Sequence, residues 1–181
     1  MLGWAVWITG LPGSGKSTIA GKLAEKLKEA GIPFQPLSIE MVRKVLTPSP
    51  SYSEEEREMV YKALAYVAEL LTKNGVNVVI DATGNRRAYR DRARAKIRKF
   101  MEVYVKCPLK VCMEREARRK ETHGAPRGIY AKALTGESST VPGVGVPYEE
   151  PLRPELTVDS AKLTPGESAE KIFNALIKLF Y

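Results

Sequence analysis

A three-layer α/β/α fold around a parallel β-sheet is the class this sequence predicts, and three observations carry it. Short apolar runs alternate along the chain with segments of helical period. A glycine-rich stretch, Gly10-Leu11-Pro12-Gly13-Ser14-Gly15-Lys16-Ser17, joins a strand pattern to a helix pattern. The 181 residues are 44% hydrophobic and 28% charged, enough to bury a core without disulfides or a structural metal. The whole of 1–181 is therefore expected to form one domain.

Trp4 to Thr9 is almost wholly apolar and reads as a core strand. Lys16 to Ala30 follows as a helix, with Ile19, Ala20, Leu23, Ala24 and Leu27 on one face, and Gly31 ends it. Phe34 to Ser38 is a short second strand. Ser53-Glu54-Glu55-Glu56 is a capping box that opens a helix to Lys73, its acids favourable in the first turn. Val76 to Ile80 is a buried strand ending at Asp81. Arg86 to Lys99 is a basic helix with Tyr89, Ala93 and Ile97 as its buried stripe; Arg86, Arg87, Arg90, Arg94 and Arg98 form a largely solvated face. Met101 to Lys106 is the fourth strand, and Pro108 opens the next helix. Leu156 to Val158 is the fifth strand. Thr164-Pro165-Gly166-Glu167 caps the last helix, which turns Ile172, Phe173, Leu176, Ile177 and Phe180 inward. Between the fourth and fifth strands, Arg115 to Pro154 is first charged, then rich in Gly and Pro. So long an irregular stretch is functional or mobile, and 115–154 is expected to be a lid.

Composition excludes several classes. No apolar run reaches the roughly 18 residues of a membrane span. The apolar start lacks a basic flank and a cleavage site, so a cytoplasmic protein is expected. Cys107 and Cys112 make neither a disulfide framework nor a zinc site and read as half-buried thiols. His123 is the single histidine, which excludes a Ser-His-Asp triad and a multi-histidine metal site. The net charge of +8 suits a nucleotide and a second anion, or RNA. A homodimer is compatible with the sequence.

The glycine-rich stretch has the chemistry of a phosphate-binding loop. Gly10, Gly13 and Gly15 let the backbone turn and approach closely, so that amides of the loop, including those around Pro12 and Ser14, cradle phosphate oxygens. The following helix adds the positive end of its dipole at Ser17 and Thr18. Lys16 would reach the β- and γ-phosphates, and the Ser17 hydroxyl would ligate Mg²⁺. This is the P-loop NTPase-type kinase pattern, with ATP and Mg²⁺ as cofactors. An Asn-Lys-x-Asp motif for guanine is absent, which favours adenine.

Beyond the loop, Asp81 and Glu40 each follow a strand at the edge where ligands of open α/β sheets bind. Each could hold Mg²⁺ or act as the base for an acceptor hydroxyl. Glu40 reads alternatively as an acid in the first turn of a short helix, and Asp81 as a helix cap. Arg43 and Arg57 suit an acceptor anion, and Arg86 and Arg87 are placed to reach substrate. Arg115, Arg118 and Arg119 fall in the lid. One of them, Arg115 foremost, is expected to neutralise charge on ATP.

Later segments resemble the adenylylsulfate (APS) kinase family. Phe100-Met101-Glu102-Val103-Tyr104-Val105-Lys106-Cys107-Pro108-Leu109 is similar to its Phe-x-Glu-Val-Tyr-Val-x-x-Pro-Leu segment. Arg127-Gly128-Ile129-Tyr130-Ala131-Lys132-Ala133 resembles its Lys-Gly-Leu-Tyr-Lys-Lys-Ala, and Pro147-Tyr148-Glu149-Glu150-Pro151 its Pro-Tyr-Glu-x-Pro. The resemblance implies phosphorylation of the 3′-hydroxyl of adenosine 5′-phosphosulfate by MgATP. It puts Arg43, Arg57 and Lys132 on acceptor contacts, Tyr52 on an adenine-stacking position, and Val141 in the segment over the acceptor's adenine.

The chain departs from that pattern at several points. Ser38-Ile39-Glu40-Met41-Val42-Arg43 replaces Asp-Gly-Asp-Asn-Val-Arg, and Val141-Pro142-Gly143-Val144 replaces Phe-Thr-Gly-Ile. Ala117 to Ala125 is inserted in the lid. Asp81-Ala82-Thr83 is closer to P-loop kinases of small metabolites or polynucleotide 5′-hydroxyls. Another hydroxyl acceptor of those kinds is therefore the alternative substrate.

Overall fold

The computed structural model describes residues 1–120, 122 and 124–181. Five parallel strands form one sheet in the order β2-β3-β1-β4-β5. They are β1 (Ala5–Thr9), β2 (Gln35–Ser38), β3 (Val78–Asp81), β4 (Phe100–Lys106) and β5 (Leu156–Asp159). The helices are α1 (Lys16–Glu29), α2 (Ile39–Leu46), α3 (Glu54–Lys73), α4 (Arg87–Lys96), α5 (Leu109–Arg118), α6 (Ile129–Leu134) and α7 (Pro165–Phe180). Strand boundaries differ from the sequence expectation by one or two residues, as fraying ends do. The short helix α6 was not anticipated as an element; α2 is the short helix that the alternative reading of Glu40 supplies.

The alternation of side chains along each strand builds the layers. In β1, Ala5 and Trp7 point into a core with Leu64 of α3 and Tyr89 of α4. Val6 and Ile8 point the other way, onto Ile19 and Leu23 of α1 and Ile172 of α7. Strand β3 divides likewise, Ile80 to the first core and Val79 to the second. A third cluster of Cys107, Cys112, Tyr130 and Val141 sits beside α5 and α6.

Parallel register brings strand ends into line. Asp81 is opposite Ile8 on one side and Ser38 on the other, so the first residues beyond β1, β2 and β3 share one edge. Ser38 then caps α2, its hydroxyl accepting from Met41 N at 3.2 Å, which sets Glu40 in that helix's first turn.

At the far end of the chain, Thr164 and Glu167 form both halves of the expected capping box. Ser53 makes only one half at α3: its hydroxyl accepts from Glu56 N at 3.2 Å. The Glu56 carboxylate turns instead to the Ser51 amide at 2.6 Å and to Arg43 at 2.7 Å.

The solvated arginine face expected on α4 is corrected by the ion pairs of two of its arginines. Arg90 is 1% exposed and its Nε meets Glu102 Oε1 at 2.6 Å. Its Nη2 donates to the Glu149 carbonyl at 2.6 Å, and Nη1 donates to Gly84 O. Arg94 pairs with Glu155 at 2.6 Å and Glu102 at 3.2 Å. Breaking a buried pair by removing one partner costs about 3–5 kcal/mol. Arg90→Met is thus expected to lower the thermal midpoint by on the order of 10 °C, whereas Arg98→Ala, at an exposed position, should leave it nearly unchanged. Equal midpoints for the two variants would remove the structural role assigned to Arg90.

Candidate active site

The loop after β1 takes its shape from two glycines. Gly15, with φ of 97°, is the left-handed residue directly before α1. Gly13, with φ of 78°, lies so close to α5 that a Cβ would overlap the Cys112 carbonyl. Gly10 and Ser14 stand behind the loop: Ser14 is fully buried and its carbonyl accepts from Ser160 Oγ at 2.7 Å. The turned backbone closes through Ser14 N to Leu11 O at 3.1 Å. The same carbonyl accepts from Lys16 Nζ at 3.0 Å, which aims the ammonium back along the loop.

In front of the loop lies a cavity of about 460 Å³. Pro12, Gly13, Gly15, Lys16, Ser17 and Thr18 form its floor. Glu40 and Asp81 stand on its wall, as register and capping dictate. Burial lowers the proton affinity of the Lys16 ammonium, and the charge of Asp81 is the largest opposing influence. Burial raises the Glu40 carboxyl above the usual carboxylate range; Arg43 works against this and Asp81 with it.

The far end of the cavity carries Arg43, Tyr52, Arg57, Lys132 and Val141. Arg43 and Arg57 are almost fully buried, at 6% and 9% exposure. The Arg43 guanidinium lies 4.7 Å from the centre of the Tyr52 ring. Arg57 Nε donates to the Tyr52 carbonyl at 3.2 Å, its Nη1 to Asn85 Oδ1 at 3.5 Å and its Nη2 to Thr140 O. Tyr52 holds a positive φ of 57°, a backbone state that non-glycine residues rarely adopt away from functional sites. Its amide is fixed on Glu56 at 3.2 Å. Lys132 is exposed, and Val141 is buried.

Two expectations are corrected by geometry, those for Arg86 and Arg87. Arg86 does not reach the cavity wall; it turns outward to Glu54 at 2.7 Å. Arg87 is engaged outside the cavity as well, its Nη1 donating to Glu150 O at 3.2 Å. Arg115 does line the cavity, but its guanidinium is engaged by Ser160, through Oγ at 3.2 Å and the carbonyl at 2.7 Å. Arg119 lies on the wall and Arg118 does not. His123 lies outside the described residues. The thiols of Cys107 and Cys112 are free and buried more fully than expected; burial, then Cys107, push Cys112 up to about 12, which leaves it inert.

Sequence reasoning passed over Asn85, which is buried, lines the cavity and links Arg57 to Pro147 O through its Nδ2 at 3.2 Å. Its signal was its place just past β3 at the ligand edge. Tyr61 was read only as a helix residue, yet its hydroxyl accepts from Gly84 N at 2.8 Å beside the same cavity.

Among the described residues no group of three or more His, Cys, Asp and Glu side chains could hold a metal ion by itself. The donors expected to serve a metal, the Ser17 hydroxyl and the Glu40 and Asp81 carboxylates, all line the cavity. An all-oxygen set of low count fits Mg²⁺, which keeps waters and shares substrate phosphates, and does not fit zinc. No helix of the described residues is long and apolar enough to cross a membrane.

Comparison with known proteins agrees with this geometry. The adenylylsulphate kinase family model matches residues 2–159. A probable adenylyl-sulfate kinase of Pyrococcus abyssi is 41% identical over 181 residues, covering 100% of this chain and 99% of that protein. An adenylyl-sulfate kinase of Rippkaea orientalis is 40% identical, covering 99% and 94%. Among solved structures, the APS kinase of Mycobacterium tuberculosis in complex with AMPPNP and APS superposes with a TM-score of 0.85 at 32% identity. That match covers 97% of this chain and 98% of that one.

Proposed function

The chain belongs to the adenylylsulfate kinase family, and from that premise we propose that it transfers the γ-phosphoryl group of ATP to the 3′-hydroxyl of adenosine 5′-phosphosulfate. One observation carries the reading: a single cavity runs from the phosphate loop, past two carboxylates, to a buried pair of arginines beside Tyr52. That order is the order of the reaction, from donor phosphate through transfer site to anionic acceptor.

The residues divide the work. Loop amides and Lys16 hold the β- and γ-phosphates. Ser17, Asp81 and Glu40 would hold Mg²⁺, which when bound would neutralise phosphate charge. Arg43, Arg57 and Lys132 bind the phosphosulfate, and Tyr52 stacks on the acceptor's adenine with Val141 as an apolar wall. The acceptor oxygen forms a bond to the γ-phosphorus as the bond to ADP breaks, and its proton passes to a carboxylate, for which Asp81 is our assignment. Arg115 seats the ATP side through the loop's rear wall at Ser160. The lid is assigned to 115–154.

The alternative acceptor, a nucleic-acid 5′-hydroxyl, finds less free positive charge on α4, because Arg90 and Arg94 are paired with Glu102 and Glu155. The test is ADP release with APS, serine, nucleosides and 5′-hydroxyl RNA at matched concentrations. APS is expected to turn over. Its KM should exceed that of a relative with aromatics on both faces of the adenine by roughly five- to 150-fold, the value of one lost stack of about 1–3 kcal/mol. Background rates with APS and clear turnover of another hydroxyl would overturn the acceptor assignment.

A further inference from the structure

Ala117 to Ala125, the segment inserted against the family's sequence pattern, brings a cation of its own to the phosphate end of the cavity. We propose that Arg119 is a catalytic residue, a guanidinium that binds the transferring γ-phosphoryl group across from Lys16. The inference rests on the phosphotransfer reading and deepens it, since neither the phosphate loop nor the motifs shared with the family supply this residue.

Position is the first ground. Arg119 is the C-cap of α5 and stands on the cavity wall with Lys16 and Glu40. It is near enough for its charge to act on both of them. Gly124, in the same stretch, also approaches the acid: a Cβ there would lie 3.5 Å from Glu40 Cβ and 3.9 Å from Lys44 Cε. Thr122, Ala125 and Pro126 line the same cavity.

Hydrogen bonding is the second ground. The guanidinium is anchored, not saturated. Its Nη2 donates to the Pro126 carbonyl and lies 3.3 Å from Glu116 Oε1. Glu116, itself buried, also accepts from Gly128 N at 2.9 Å, so one carboxylate ties the chain on both sides of the insertion. Arg119 Nε, in contrast, is buried with no partner among the described residues. A buried N–H without an acceptor is costly, and a phosphate oxygen in the cavity would supply one.

Elimination is the third. Of the three lid arginines, Arg118 is exposed and off the wall, and Arg115 spends both terminal nitrogens on Ser160. Phosphoryl transfer spreads negative charge over the equatorial oxygens, and a fixed guanidinium aimed there stabilises that charge without reorganising.

The experiment compares wild type with Arg119→Ala and Arg119→Lys. It measures kcat and KM for ATP and APS, affinity for ADP and for AMPPNP, and thermal unfolding. Arg119→Ala is expected to lower kcat by about 10²–10³-fold with the thermal midpoint kept. It should weaken AMPPNP about tenfold or more and leave ADP binding unchanged, because only AMPPNP carries a γ-group. Arg119→Lys should recover part of kcat, keeping the charge but not the fork. Should Arg119→Ala melt early, Arg119→Gln carries the same expectation. Turnover within about threefold of wild type overturns the proposal; so does an equal loss of ADP and AMPPNP affinity, which would mark a residue that merely seats the nucleotide. Failure of the acceptor reading is separately visible: wild type would then be idle toward APS, while the AMPPNP and ADP comparison needs no acceptor.

Discussion

Lys16→Ala is expected to lower kcat by at least about 10³-fold, roughly 4 kcal/mol of barrier, in a protein that still folds. Phosphoryl transfer offers the protein little covalent chemistry, so positioning and charge carry the rate. Among the described residues, Lys16 is the one lysine on the cavity floor; Lys132 lines the acceptor end. Stability should follow a different course. Burial holds the folded-state proton affinity of Lys16 below its ordinary value, so the charged form costs folding free energy. That cost is full below the folded pKa and fades as pH rises toward the unfolded value of about 10.4. Truncation removes the cost together with one hydrogen bond to Leu11 O. The thermal midpoint at neutral pH is therefore expected to be unchanged or raised. Steady-state turnover beside calorimetry separates the two effects, and near-wild-type turnover in a folded variant would refute the role.

The parts of the fold that were legible in sequence are those with local determinants. The capping box at Thr164 and Glu167 closes within four residues, and both halves form. The apolar stripes of α1 and α7 need only a helical period. The same box read at Ser53 closes only halfway, because Glu56 is claimed by Arg43 on another helix. Arg90 shows the same limit on a larger scale. Its helical position marks it as solvated, yet its fate is set by Glu102, which only the pairing of β4 beside β1 brings beneath α4.

The candidate site divides in the same way. Lys16, Ser17, Glu40 and Asp81 reach one cavity because each follows a strand whose end could be read from an apolar run. Arg86 directly follows Asn85 on the cavity wall, but Glu54 at the start of α3 draws it outward. Asn85 and Arg119 were passed over or left unassigned because their value lies in what surrounds them: for Asn85 the Arg57 guanidinium, for Arg119 a cavity formed by chain far from it in sequence.

Asp81→Asn is expected to lower kcat by about 10²–10⁴-fold, the range of a general base, with a much smaller change in the KM for ATP. The substitution keeps the shape of the β3 terminus and its pairing with Ser38 and Ile8, and removes the charge alone. Glu40→Gln tests the other carboxylate, and the two variants need not behave alike. If Asp81 takes the acceptor's proton, added Mg²⁺ should leave its defect in place. If its main task is to hold the ion, excess Mg²⁺ should recover most of the rate, since a weakened site refills by mass action. Asp81 is also the largest charge offsetting the burial of Lys16. The Lys16→Ala, Asp81→Asn double variant should consequently lose less than the product of the single losses, as coupled neighbours do. A turnover number for Asp81→Asn within about threefold of wild type, measured at saturating ATP and APS, would move the base assignment to Glu40.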